Sequence, residues 1–78
     1  MDRTKTLNEL KPRDKGTIIK ITGQGSLRRR LLDMGIIPGS ELEIIRVAPL
    51  GDPVEIIIKR YNLSLRKEEA KQVWVEVL

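Results

Sequence analysis

The sequence predicts a small all-β fold: five short strands closed into a barrel, with one short helix inserted after the first strand. Three observations predict it. The apolar residues are Ile, Leu and Val, with aromatics at only 3% (Tyr61 and Trp74), a composition that favours strands around an aliphatic core. Short apolar runs alternate with turn signals rich in Pro, Gly and Asp along the whole 78 residues, as in small barrels. Only one stretch, bounded by Gly23 and Gly39, shows an extended helical period. Closing such strands into a barrel also removes the edges that would otherwise invite aggregation.

In order, Thr6-Leu7-Asn8-Glu9 has the spacing of a capping box, so one short helical turn is expected there with Leu7 and Leu10 packed down. Residues 12–16 are a turn, and residues 17–22 form a β-branched strand carrying Ile18, Ile19 and Ile21. Ser26 is placed to cap the helix that follows. Leu27, Leu31 and Met34 then fall at i, i+4 and i+7 as one apolar stripe. Gly35 stops that helix and Pro38 prevents its continuation. Residues 41–48 carry apolar residues at both parities, which predicts a coiled or bulged strand. A breaker-rich loop at 49–53 leads to a strand at 54–59, with Val54, Ile56 and Ile58 on one face. Residues 61–66 alternate, placing Leu63 and Leu65 inward. One helical turn at 67–72 precedes Val73, Val75 and Val77, a last inward row.

The length fits a single domain, 1–78, that buries only about 60% of its unfolded surface. There is neither cysteine nor histidine, so no disulfide or imidazole-held metal supports the fold. The longest unbroken apolar runs, such as Ile56-Ile57-Ile58, cannot span a bilayer. The first eight residues lack the apolar centre of a signal peptide, which makes a cytoplasmic location the expectation. The net charge of +4 permits an acidic partner, a nucleic acid or an anionic membrane and selects none of them.

The cations concentrate at Arg28-Arg29-Arg30. With Ser26 as the cap, they fall in the first helical turn, where each is disfavoured by roughly 0.3–1 kcal/mol. Arg29 and Asp33 have i, i+4 spacing, and a solvated face with one weak pair is the ordinary explanation. The functional one is that the guanidinium groups meet an acidic or phosphate-bearing partner through bidentate donors. In Ala48-Pro49-Leu50-Gly51-Asp52-Pro53 the prolines and glycine account for a turn. Leu50 at its tip would also be an apolar anchor held on a rigid loop.

Four ordered motifs carry a resemblance that spans nearly the whole chain. These are L-N-E-L-K-P, G-x-G-x-L-R-R-R-L-L-D-M-G-I-I-P-G, A-P-L-G-D-P at 48–53, and L-S-L-R-K-E-E-A at 63–70. Together they resemble the ferrous iron transport protein A (FeoA) family. They also resemble the C-terminal SH3-like domain of diphtheria-toxin-repressor-type metalloregulators. The resemblance implies an SH3-like barrel and a cytosolic accessory role in bacterial ferrous iron uptake. Its implied partner is ferrous iron transport protein B (FeoB), a membrane permease with a cytosolic GTP-binding domain. Arg13 and Arg60 stand where the family often has glycine. Both turns are expected to take a form compatible with arginine, since φ > 0 would strain each by about 1 kcal/mol.

No metal, cofactor or catalytic residue is expected. Ferrous sites favour imidazole with carboxylate, or thiolate, and Glu41, Glu43, Glu68 and Glu69 read as solvated acids. Ser26, Ser40 and Ser64 have capping or strand explanations, and no histidine base accompanies them. An arginine among Arg28, Arg29 and Arg30 inserted beside a partner's nucleotide would stabilise transferred phosphoryl charge. Nucleic-acid binding is not expected, because single-strand binders stack bases on aromatics and Tyr61 and Trp74 read as core or rim residues. The resulting expectation is a non-catalytic module that binds the transporter through Arg28, Arg29, Arg30, Leu50 and Asp52. The alternatives are a nucleic-acid-associated barrel or a stand-alone relative of the metalloregulator domain.

Overall fold

Two isoleucines set the shape of the sheet. The computed structural model describes residues 3–78; the first two residues of the predicted 1–78 domain lie outside them. Strand β2 (Lys15–Ile21) pairs with the last strand, β6 (Val73–Val77), and the register slips between Ile18 and Lys20. Strand β3 (Glu41–Val47) pairs with β4 (Val54–Ile58), and there the slip lies between Ile44 and Arg46. Each slip leaves one extra residue, Ile19 and Ile45, turned toward solvent. The bulge lets Ile18 and Ile21 both face inward and bends the strand. The bulge predicted for residues 41–48 is therefore present, and β2 contains a second one.

Strand β5 (Tyr61–Leu65) follows β4 through a two-residue turn, and a three-residue strand, β1 (Thr4–Thr6), pairs with β6. The antiparallel order is β1-β6-β2-β3-β4-β5. β1 adds a sixth strand to the predicted five. Its T-K-T sequence has no apolar period, and only its docking on β6 reveals it. No strand pairing joins β1 to β5 among the described residues, so the hydrogen-bonded ring is open at that seam rather than closed as predicted. The buried residues of β2 to β6 nonetheless form one aliphatic cluster, joined by Leu7 and Leu10, and the sheet must curl around it.

Helix α1 (Gly25–Asp33) buries Leu31, and the one-turn helix α2 (Lys67–Ala70) buries Glu69 and Ala70. The α1 C-terminus forms a Schellman motif. The Ile36 N–H donates to Leu31 O and the Gly35 N–H to Leu32 O, both at 3.0 Å, while Gly35 takes φ +96°. Leu31 and Ile36, the two apolar ends of that motif, are fully buried.

The N-terminus of α1 departs from expectation. The cap position is Gln24, with no side-chain cap bond, and Gly25 at φ +61° opens the helix. The helix opens earlier than the Ser26 cap would allow, which carries Arg30 beyond the first turn and leaves Arg28 within it. The predicted dipole penalty is thereby lifted from Arg30 and kept at Arg28, since that effect fades within the first turn. Near the N-terminus, a 3₁₀ turn spans Leu7–Glu9. The Glu9 half of the predicted capping box is made, with the Thr6 N–H donating to Glu9 Oε2 at 3.1 Å. The Thr6 hydroxyl donates to Asn8 Oδ1 instead.

Candidate partner-binding surface

The three arginines of α1 do not share one environment. Arg30 Nε lies 3.4 Å from Glu69 Oε2. The Arg28 and Arg29 side chains are exposed and make no hydrogen bond or ion pair among the described residues, the Arg29–Asp33 pair included.

Glu69, expected as a solvated acid, is a 5% exposed staple between the two helices. Its Oε1 accepts the Arg66 N–H at 2.8 Å, the third-position acid of a capping box, while its Oε2 faces Arg30. The signal was in the sequence: an acid three residues after Arg66, at the start of a short helical run. It was obscured because Arg66 is not a capping residue type.

Asp52 also has a structural role. Its Oδ1 accepts the Lys67 N–H at 3.1 Å and so caps α2. Arg30, Asp52, Arg66 and Glu69 line one open depression together with Pro53 and Ser64. Arg28 and Arg29 line a separate one with Gly25, Leu32 and Asp33. The structure thus brings Arg30, alone of the α1 arginines, into one depression with Asp52. Leu50 lies outside both linings, two residues before Asp52.

Leu50 is 94% exposed and adopts φ 70°, ψ 7°. A bulky side chain in that left-handed well costs about 1–2 kcal/mol, and nothing buried is gained in return. Arg13 and Arg60 likewise take φ 77° and 71°, and Lys59 takes 50°. The arginine-compatible turns expected at positions 13 and 60 are not formed. Lys11 to Asp14 is closed by the Asp14 N–H donating to Lys11 O at 3.0 Å, with Pro12 then Arg13. This is a type II turn whose third position requires φ > 0. Lys59 and Arg60 make the two-residue β4–β5 turn, where both φ values must be positive to match strand twist.

Neither aromatic lies in the core: Trp74 is half-buried and Tyr61 exposed. Lys20 Nζ lies 5.5 Å from the centroid of the Trp74 ring, and Tyr61 is exposed at the start of β5. Among the described residues no group of three or more His, Cys, Asp or Glu is placed to hold a metal ion. No helix there is long and apolar enough to cross a membrane.

A Fe(2+) transport protein A/Fe(2+) transporter FeoB fusion protein of Porphyromonas gingivalis is 40% identical over 72 residues. That match takes in 92% of this chain and 8% of the relative, so the chain spans a small part of that relative's length. The solution structure of a FeoA-like protein from Clostridium acetobutylicum superposes with TM-score 0.89 at 44% identity, over 100% of this chain and 91% of that one. The zinc-complexed FeoA of Stenotrophomonas maltophilia, described as a prokaryotic SH3 domain protein, superposes at TM-score 0.82 with 25% identity, over 95% of each chain. A manganese-dependent transcriptional repressor shares the fold at TM-score 0.89 and 20% identity, over 100% of this chain and 44% of that one. The fold is SH3-like, and the FeoA domain model matches residues 5–77. This chain therefore belongs to the FeoA domain family.

Proposed function

We propose that this chain is a non-catalytic, cytoplasmic accessory module of ferrous iron uptake. It binds and regulates the cytosolic portion of a FeoB-type permease through Arg28, Arg29, Arg30, Leu50 and Asp52. The observation that carries this reading is the P. gingivalis fusion, in which a segment 40% identical to this chain is covalently joined to a transporter named FeoB. A covalent link raises the effective concentration of a docking partner to about the millimolar range, a natural outcome for two parts that already associate.

The surface suits that role. Arg28 and Arg29 offer uncommitted bidentate donors for carboxylate or phosphate groups. Leu50 supplies an apolar anchor whose backbone is already fixed, so little conformational entropy is lost when it is covered. Asp52 and Glu69 hold the depression beside Arg30 in shape.

The test is binding of this chain to the purified cytosolic domain of the permease across a salt series, with Arg28 and Arg29 intact or replaced by alanine. The reading predicts binding that weakens about tenfold in the double variant. No binding by the intact chain contradicts it, and tighter, steeply salt-dependent binding to a generic RNA would replace it with the nucleic-acid reading. GTP hydrolysis measured on the same samples separates an arginine that stabilises phosphoryl charge from docking alone.

A further inference from the structure

The sheet has two ends, and they are built differently. β1 is three residues long and carries the exposed Lys5, the short charged edge by which proteins discourage further strand pairing. β5 is five residues, Y-N-L-S-L, with no charge and no proline, although it too has a neighbour on one side only.

The register shows which backbone groups are left. Ile58 and Tyr61 flank the two-residue turn and so form the hydrogen-bonded pair that closes the hairpin. Alternation then directs the Leu63 and Leu65 N–H and C=O groups at β4, while those of Asn62 and Ser64 point away from the sheet. No hydrogen bond to Asn62 or Ser64 is made from outside the strand among the described residues. Both residues are exposed and line a small depression with Ile45, Glu55 and Leu63 on the outer face.

Cations stand at both ends of this edge: Lys59 and Arg60 before it, Arg66 and Lys67 after it, all exposed and outside the ion pairs among the described residues. Lys59 and Arg60 are held there in left-handed conformations. A second copy of this chain is a poor occupant. Whether two β5 strands met parallel or antiparallel, cations would face cations at each end, and directly opposed like charges are destabilising.

We propose that the β5 edge is a strand-addition site for an extended peptide segment bearing acidic residues at both ends, about 20 Å apart. The segment's backbone bonds to Asn62 and Ser64, and its carboxylates meet the two cationic pairs. This gives affinity through the main chain and selectivity through charge. The inference is independent of the identity of the transporter as partner.

The probe is a synthetic peptide, E-E-V-T-V-T-V-E-E, titrated into the isotope-labelled full chain and followed by amide shifts and hydrogen exchange. The expected result is slowed exchange at the Asn62 and Ser64 amides, with a Kd that rises about tenfold in Arg66→Glu/Lys67→Glu, as expected for two exposed pairs turned repulsive. Ser64→Pro, which removes an outward N–H and leaves the β4 ladder intact, should abolish the protection at the Asn62 amide. Should that variant fail to fold, the tenfold rise in Kd of the double charge reversal still tests the site, and an unchanged Kd there overturns the proposal. Unchanged Asn62 and Ser64 amides at millimolar peptide overturn the proposal, as does equal binding of a peptide with lysines in place of the four glutamates. Protection that grows with protein concentration alone overturns it in favour of self-pairing.

Discussion

The turns around α1 and most turns at the sheet's loop ends solve the same backbone problem in opposite ways, with Gly51 at φ +76° in the β3–β4 loop as the exception. Gly25, Gly35 and Gly39, bracketing α1, take φ of +61°, +96° and +94°, and a Cβ at any of them would meet nothing within 4 Å. Glycine is there for conformation and not for space. Arg13, Leu50, Lys59 and Arg60 lie in the loops beside the strands, also at positive φ, and every one of those side chains is exposed. Three cations and one leucine are thus held at strained positions where glycine would be easier. Strain that packing does not require is a pointer to groups displayed for contact.

Substitutions break or sharpen this contrast, and the largest effect lies beneath it. Leu31→Ala removes the fully buried side chain that anchors α1 and should lower unfolding free energy by about 3 kcal/mol in urea denaturation. Gly35→Leu tests the glycine set. With room for the side chain but φ +96°, it should cost about 1.5 kcal/mol through backbone strain alone. Arg13→Gly and Arg60→Gly test the other set, and each should raise stability by about 1 kcal/mol. A loss at either position would show that its side chain supports the fold. Smallest of all, Arg28→Ala with Arg29→Ala should move stability by less than about 0.5 kcal/mol, since neither side chain has an internal partner.

Much of this molecule was legible in its pattern. The mixed parity of Glu41–Val47 announced a bulge, and the Leu27, Leu31, Met34 stripe announced α1. The same mixed parity at Ile18, Ile19 and Ile21 was present, and reading those residues as a plain β-branched run hid the second bulge. Thr4–Thr6 is a strand because β6 offers it an edge, a tertiary fact that three polar residues cannot signal. The conformations at Arg13 and Arg60 turned on whether strain would be avoided, and propensity favours avoidance; turn geometry overrode it. The candidate surface was readable in part. Asp52 and Arg30 do meet in one depression, whereas the burial of Glu69 and the exposed β5 edge depend on packing between elements distant in sequence.

The central claim is that strain is retained where a side chain is displayed to a partner, and Leu50 tests it most directly. Leu50→Gly should be measured for both unfolding free energy and affinity for the permease's cytosolic domain. If the strain serves a partner contact, the variant is about 1 kcal/mol more stable and binds about tenfold more weakly. A more stable chain with undiminished affinity would contradict it.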